Sequence, residues 1–356
     1  MDHSGRLNKV RRAIERADVD ALLVTNLTSV CYLTGFSGSN GQVLVRSDRA
    51  VFFSDPRYEA RASDLVEGAD IVIYKNKLTD VLADHLDDGR RLGVEAATMT
   101  LAEHSELGDA LSGAELISTK GIVEDIRRTK EPAEVELIRR AIAISDETFE
   151  WVLDRLAPGA TEREIALDLE VHMRQLGAQE VGFDPIVGSG SLSAHIHHTP
   201  SDRSLEKGDP VLLDFGAMVG GYRSDLTRTV VLGAATDEQR AMYEIVLEAQ
   251  RRGIAAIRDG ASGKNVDDAA RAYITEAGHG DEFGHGLGHG VGLDIHEAPR
   301  LGRITEDVLS AGDVVTVEPG IYVRGSGGIR IEDCVLVTAD GAEVLGRAPK
   351  DRLIEL

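Results

Sequence analysis

Three stretches in the C-terminal part of this sequence hold residue types at spacings that suit metal chemistry. The first is Val211-Leu212-Leu213-Asp214-Phe215-Gly216, followed by Gly220-Gly221-Tyr222-Arg223-Ser224-Asp225-Leu226. Two strand-like runs joined at Gly220-Gly221 predict a hairpin, and a turn centred between Val219 and Gly220 sets Asp214 directly opposite Asp225. Like charges at cross-strand distance repel, so a fold keeps such a pair where a cation or a shared proton offsets the repulsion. Taken alone, the pair also fits one carboxylate turned to solvent or capping the turn.

The second stretch is Phe283-Gly284-His285-Gly286-Leu287-Gly288-His289-Gly290-Val291-Gly292, continuing through His296-Glu297-Ala298-Pro299. Glycines at alternate positions let the backbone come close to a centre that the imidazoles reach. A dinucleotide-binding loop looks superficially similar, but it opens a helix, and no helical pattern follows here. Nor is His296-Glu297 an HExxH zinc site, because Arg300 stands where its second histidine belongs. A lone histidine is more often a structural hydrogen-bonding group. Three of them in a glycine-rich apolar frame point to a site.

The third stretch carries Glu318, after Val314-Val315-Thr316-Val317 and before Pro319-Gly320, and Glu332 in Ile329-Arg330-Ile331-Glu332. Strand alternation puts Arg330 and Glu332 on one face, either as a surface ladder or, given the apolar run Cys334-Val335-Leu336-Val337, as a buried pair. An unpaired buried glutamate is costly. Asp214, Asp225, His289, Glu318 and Glu332 together make an oxygen-rich set with too few nitrogen or sulfur donors for a structural zinc site. Hard or borderline ions such as Mn²⁺ or Co²⁺ suit it better. Two ions bridged by carboxylates can lower the pKa of a shared water and polarise a carbonyl under attack.

Helices and strands must position these groups. Residues 20 to 55 read as short apolar runs punctuated by turns, better fitted to strands than to helices, with helical patterns at about 5 to 17, 77 to 86 and 101 to 111 around them. Glu131-Pro132 opens a long amphipathic helix, and further helices are expected at about 162 to 176 after Thr161, 237 to 258 after Thr236, and 265 to 277. Strand-like runs occupy 211 to 217, 222 to 232, 314 to 318 and 329 to 338. No repeat of fixed period is present. The expected organisation is α/β with two domains, 1–122 and 123–356.

The bulk properties narrow the function. With 356 residues and 42% hydrophobic content, the chain can bury two ordinary cores. Its formal charge of −22 argues against nucleic acid or an anionic membrane surface as partner. Arginine outnumbers lysine, which fits either a salty cytoplasm or a GC-rich genome. The polar N-terminus has no apolar segment behind it, and no stretch is long and apolar enough to span a bilayer, so a cytoplasmic location is expected. Cys31 and Cys334 lie far apart inside apolar runs, as two buried free thiols would.

The motif set resembles the pita-bread metallopeptidases, the family of methionine aminopeptidase, aminopeptidase P and prolidase. The resemblance covers most of residues 125 to 356 and implies a pita-bread α+β catalytic domain behind a creatinase/prolidase-like N-terminal domain. It implies that Asp214, Asp225, His289, Glu318 and Glu332 hold two divalent metal ions, Mn²⁺ foremost, with Co²⁺ or Zn²⁺ as alternatives. By the same resemblance His197 and His296 bind the substrate carbonyl and shuttle protons, His285 lines the substrate pocket, and Arg330 is an active-site arginine. Within His195, His197 and His198 the assignment rests on the offset from Pro200.

Tyr32-Leu33-Thr34-Gly35-Phe36-Ser37-Gly38-Ser39-Asn40-Gly41 and Asp55-Pro56-Arg57-Tyr58 resemble short aminopeptidase P-like proteins, although Pro56 stands where glycine or serine is more usual. The expectation is therefore hydrolysis of the bond between an N-terminal residue and a following proline, with Glu318 taking the water proton and His296 stabilising the oxyanion. The alternatives are an Xaa-Pro dipeptidase, with Arg330, Arg57 or a second subunit's arginine holding the free carboxylate, and a non-catalytic binding module. A homodimer is expected.

Overall fold

A computed structural model describes residues 1–87 and 90–356. The chain divides into two compact units, Met1–Arg127 and Arg128–Leu356. Among the described residues, no helix is long and apolar enough to cross a membrane.

The first unit is built on a six-stranded mixed sheet whose spatial order is Asp70–Ile73, Ala50–Ser54, Gln42–Arg46, Ala21–Val24, Arg91–Glu95 and Glu115–Thr119. Its central strand, Ala21-Leu22-Leu23-Val24, is buried along its whole length, as a continuous apolar run covered on both faces must be. Leu23, Leu44, Phe53, Leu92 and Val94 form its core with Leu82 and Leu107. Strands do not account for all of residues 20 to 55: Leu27–Thr34 is a helix. Asn26 caps it by accepting from the Ser29 amide, and Gly35 at φ 79° ends it. The run of β-branched and aromatic residues hides this helix in a propensity reading, and its two caps are the signal that reveals it.

The second unit packs two helix pairs, each against its own sheet. Pro132–Leu153 and Glu162–Gln175 cover the strands Ile186–Ser189, Pro210–Phe215 and Leu226–Val231. Asp237–Ala256 and Gly263–Glu276 cover Gly288–Gly290, Val314–Val317 and Asp333–Val337. Capping boxes at Thr161/Glu164 and Thr236/Gln239, and Pro132 at a helix start, set where three of these helices begin.

Strand alternation then sorts each strand into two faces. Val211, Leu213 and Phe215 join Phe149, Ile165 and Leu169 in the first core, while Val315, Val317, Val335 and Val337 join Val246, Val266 and Ile274 in the second. The intervening positions, including Asp214, Thr316, Arg330 and Glu332, face away from the helices.

Candidate metal centre

The hairpin carrying the two aspartates turns at Gly220 and Gly221, with φ of 60° and 84°. A two-residue hairpin turn wants positive φ at both central positions, which glycine adopts without strain. The turn is therefore centred one residue later than the strand pattern predicts. Val219 pairs with Tyr222, and Asp214 faces Thr227 rather than Asp225. A register shift of two leaves every side chain on its original face, so Asp225 still opens onto the same cavity as Asp214.

His289 lies in the short strand Gly288–Gly290. A Cβ on Gly288 would sit 2.0 Å from the Thr316 carbonyl, and one on Gly290 2.2 Å from the Ala298 carbonyl. The glycines thus let this strand press against its neighbours. His289 Nδ1 donates to the Gly290 carbonyl at 3.1 Å, which turns Nε2 toward Glu318 Oε1, 3.3 Å away, and Asp225 Oδ2, 3.7 Å away. Ligand atoms of Asp225, His289 and Glu332 all lie within 4.8 Å of one another.

The remaining groups close around these. Arg330 reaches Asp214 Oδ2 at 2.5 Å, Tyr322 Oη at 2.9 Å and Thr227 Oγ1 at 3.1 Å. Thr227 donates in turn to Glu332 Oε2 at 2.5 Å. His285 Nδ1 donates to the Gly286 carbonyl, and its Nε2 accepts from Tyr322 Oη at 2.9 Å. The rings of His289 and His296 meet edge to face, 4.4 Å between centroids. Beside His296, Glu297 accepts from the buried Lys130 at 2.5 Å.

His197, Asp214, Asp225, His285, His289, His296, Glu318, Arg330 and Glu332 all line one cavity of about 950 Å³. His195 and His198 do not. His198 is taken up by the buried Glu162 carboxylate, 2.8 Å from its Nε2.

The electrostatics fit a cation. Burial, together with Glu332 and Asp214, pushes the Asp225 carboxyl well above the usual range, and burial with Glu318 and Asp214 does the same to Glu332. Burial also raises Asp214, against the opposing Arg330. Against burial, the neighbouring His289 holds Glu318 down to about 2. Asp214 Oδ1 is buried with no hydrogen-bond partner. Crowded carboxylates that resist ionising together, an orphaned acceptor and an imidazole nitrogen turned toward them are what a divalent ion satisfies.

Residues 136–339 match the profile of metallopeptidase family M24, and residues 6–129 that of the Creatinase/Prolidase N-terminal domain. The chain belongs to metallopeptidase family M24. Among solved M24 relatives, an Xaa-Pro dipeptidase from Bacillus anthracis is 42% identical with a TM-score of 0.97, each chain covered in full. An X-Pro aminopeptidase from Thermotoga maritima MSB8 is 34% identical with a TM-score of 0.90, over 97% of this chain and 100% of that one. An Xaa-Pro dipeptidase of Pyrococcus furiosus is 36% identical over 98% of this chain and 99% of its own. The pita-bread catalytic unit and the creatinase/prolidase-like first unit are thus the M24 architecture.

Sequence reasoning passed over several residues of this M24 site. Thr227, Thr316 and Tyr322 hold the charged groups in place, and strand alternation puts Thr227 two residues from Asp225 and Thr316 two from Glu318, which was the available signal. Arg300 and Arg303 also line the cavity. The cysteines Cys31 and Cys334 are free, with Cys334 buried and Cys31 only half-buried.

Proposed function

We propose that this M24 peptidase is an Xaa-Pro dipeptidase, which cleaves two-residue substrates ending in proline. The carrying observation is the pair Arg300 and Arg303 on the cavity wall: both are exposed, and neither guanidinium meets a carboxylate among the described residues. Other candidate arginines are occupied. Arg330 is spent on Asp214, Arg271 on Asp267, and Arg57 on Asp55. A free guanidinium at the cavity suits the free carboxylate of a dipeptide, which an aminopeptidase acting on longer chains does not need to bind. The dipeptidases of B. anthracis and P. furiosus support the same choice, and with it the preference moves away from the aminopeptidase expected from sequence. The aminopeptidase of T. maritima keeps that second reading in play. Turnover of Xaa-Pro against Xaa-Pro-Yaa peptides tests the choice; equal cleavage of tripeptides would overturn it.

In this reading Asp214, Asp225, His289, Glu318 and Glu332 hold two divalent ions, Mn²⁺ by the oxygen-rich donor set. When bound, the ions supply Lewis acidity that polarises the scissile carbonyl and acidifies the attacking water. Glu318, kept ionised by His289, is in the form that accepts the water proton and can pass it to the leaving proline nitrogen. Partial desolvation, with the nearby His289, lowers His296 from the ordinary histidine range, which favours the neutral ring with one N–H to offer the carbonyl oxygen as charge develops there. His197 shares that task across the cavity, and His285 with Tyr322 shapes the substrate pocket. Arg330 holds Asp214 in place. A homodimer, expected from the resemblance, belongs to the same proposal, and sedimentation velocity tests it.

A further inference from the structure

Glu162 begins the Glu162–Gln175 helix, and its carboxylate is fully buried without lining the cavity. Oε1 accepts from the Ser189 amide at 2.8 Å and the Ser189 hydroxyl at 2.7 Å. Oε2 accepts from the Ser201 amide at 3.0 Å, the Ser201 hydroxyl at 2.6 Å and His198 Nε2 at 2.8 Å. Amides of the same helix start, Glu162 and Arg163, donate to the Arg203 and Ser201 carbonyls.

One carboxylate oxygen therefore grips the chain before the Gly190–Ala194 turn, and the other grips it beyond that turn, at 198 and 201. Between the two grips lies His197, on the cavity wall. No strand ladder holds residues 195–200, so an irregular segment relies on side chains to satisfy and order its backbone. Burial by itself would raise this carboxyl; the hydrogen bonds from Ser201, His198 and Ser189 outweigh it and keep Glu162 below its ordinary range.

We propose that Glu162 is a positioning residue: through Ser189, His198 and Ser201 it clamps the loop that presents His197 to the substrate. The proposal rests on the role given to His197 above. Its chemistry is that of a fixed acceptor. Glutamine at 162 would keep the shape but turn one acceptor oxygen into a donor, facing groups that themselves donate.

The test is a double-mutant cycle on the metal-loaded enzyme, joined to amide hydrogen exchange. E162Q is expected to lower kcat on an Xaa-Pro dipeptide about tenfold or more while KM stays within about twofold, because a displaced group costs rate before it costs binding. Metal content by elemental analysis should match the wild type, and amides of 189–201 should exchange faster. In the H197A background, E162Q should cost nothing further, since the two act as one unit.

Effects that multiply in the double variant, or unchanged exchange in 189–201, would overturn the clamp. Wild-type turnover by H197A would overturn the role of His197 and this proposal with it, a result distinguishable from failure of the clamp alone. Should E162Q not fold, H198A and S201A each remove one limb from outside the helix, and the same cycle run on them supports or overturns the clamp by the same outcomes.

Discussion

Arg330 Nη2 lies 2.5 Å from Asp214 Oδ2, with both side chains buried. A fixed guanidinium thus contacts Asp214 and acts electrostatically on the carboxylates of Asp225, Glu318 and Glu332. Breaking a buried pair by removing one partner costs about 3–5 kcal/mol, because a charge is left uncompensated. A divalent ion on Asp214 supplies part of that compensation. Arg330→Met should therefore lower the melting temperature of EDTA-treated protein more than that of Mn²⁺-loaded protein. Calorimetry with and without metal checks this, and equal drops would show that Arg330 does not share charge with the ion.

Asp225→Asn and Glu332→Gln should each abolish peptidase activity and leave the fold intact. Each variant removes one charge from a repelling cluster, so the metal-free protein should melt no lower than wild type, and higher by a few degrees if about 1 kcal/mol of repulsion is relieved. The stabilisation that wild type gains from added Mn²⁺ should shrink. Circular dichroism melts and elemental analysis read both effects; wild-type turnover in either variant would remove that residue from the ligand set.

The pH dependence of the metal-free protein follows from the same carboxyls. Asp225 and Glu332 titrate higher folded than unfolded, so the stability they confer is complete below the ordinary carboxylate range and is lost as pH rises through their raised values. Glu318 has the opposite sign: held down to about 2, its contribution is present above the ordinary range and is lost only as pH falls toward 2. Denaturation midpoints in EDTA should accordingly fall as pH is raised from the ordinary carboxylate range upward. Bound metal favours the ionised forms and should flatten this slope. A midpoint in EDTA that climbs over that window would contradict the assignment.

Arg300→Ala should raise KM for an Xaa-Pro dipeptide about tenfold, the worth of one charge-assisted hydrogen bond, and leave KM for the corresponding Xaa-Pro amide nearly unchanged. Steady-state kinetics on the two substrates measures the difference. If Arg303 holds the carboxylate instead, Arg303→Ala shows the split and Arg300→Ala does not. Loss of neither would return the dipeptidase reading to its aminopeptidase rival.

Much of the site is legible in the sequence because a strand has a side-chain period of two. Val315 and Val317 mark a covered face, which sends Thr316 and Glu318 to the other; Ile329 and Ile331 do the same for Arg330 and Glu332. That parity survives the two-residue error in the hairpin register, so Asp214 and Asp225 reach one cavity although they do not pair. The helix Leu27–Thr34 escapes the same reading, since its residues favour strands and packing in a buried layer overrides them.

Residue types and strand alternation, all local properties, determined by themselves which acids the second unit could turn toward a common centre, while the roles of His197, His285 and His296 rested on the family resemblance. Only the tertiary structure decided their partners: His198 for Glu162 rather than the cavity, Arg330 for Asp214, and Arg300 and Arg303 at the wall with no carboxylate partner among the described residues. Those pairings join residues up to 116 positions apart. Their distances depend on how two sheets and a glycine turn bring the strands together, and no pattern within a single strand encodes that.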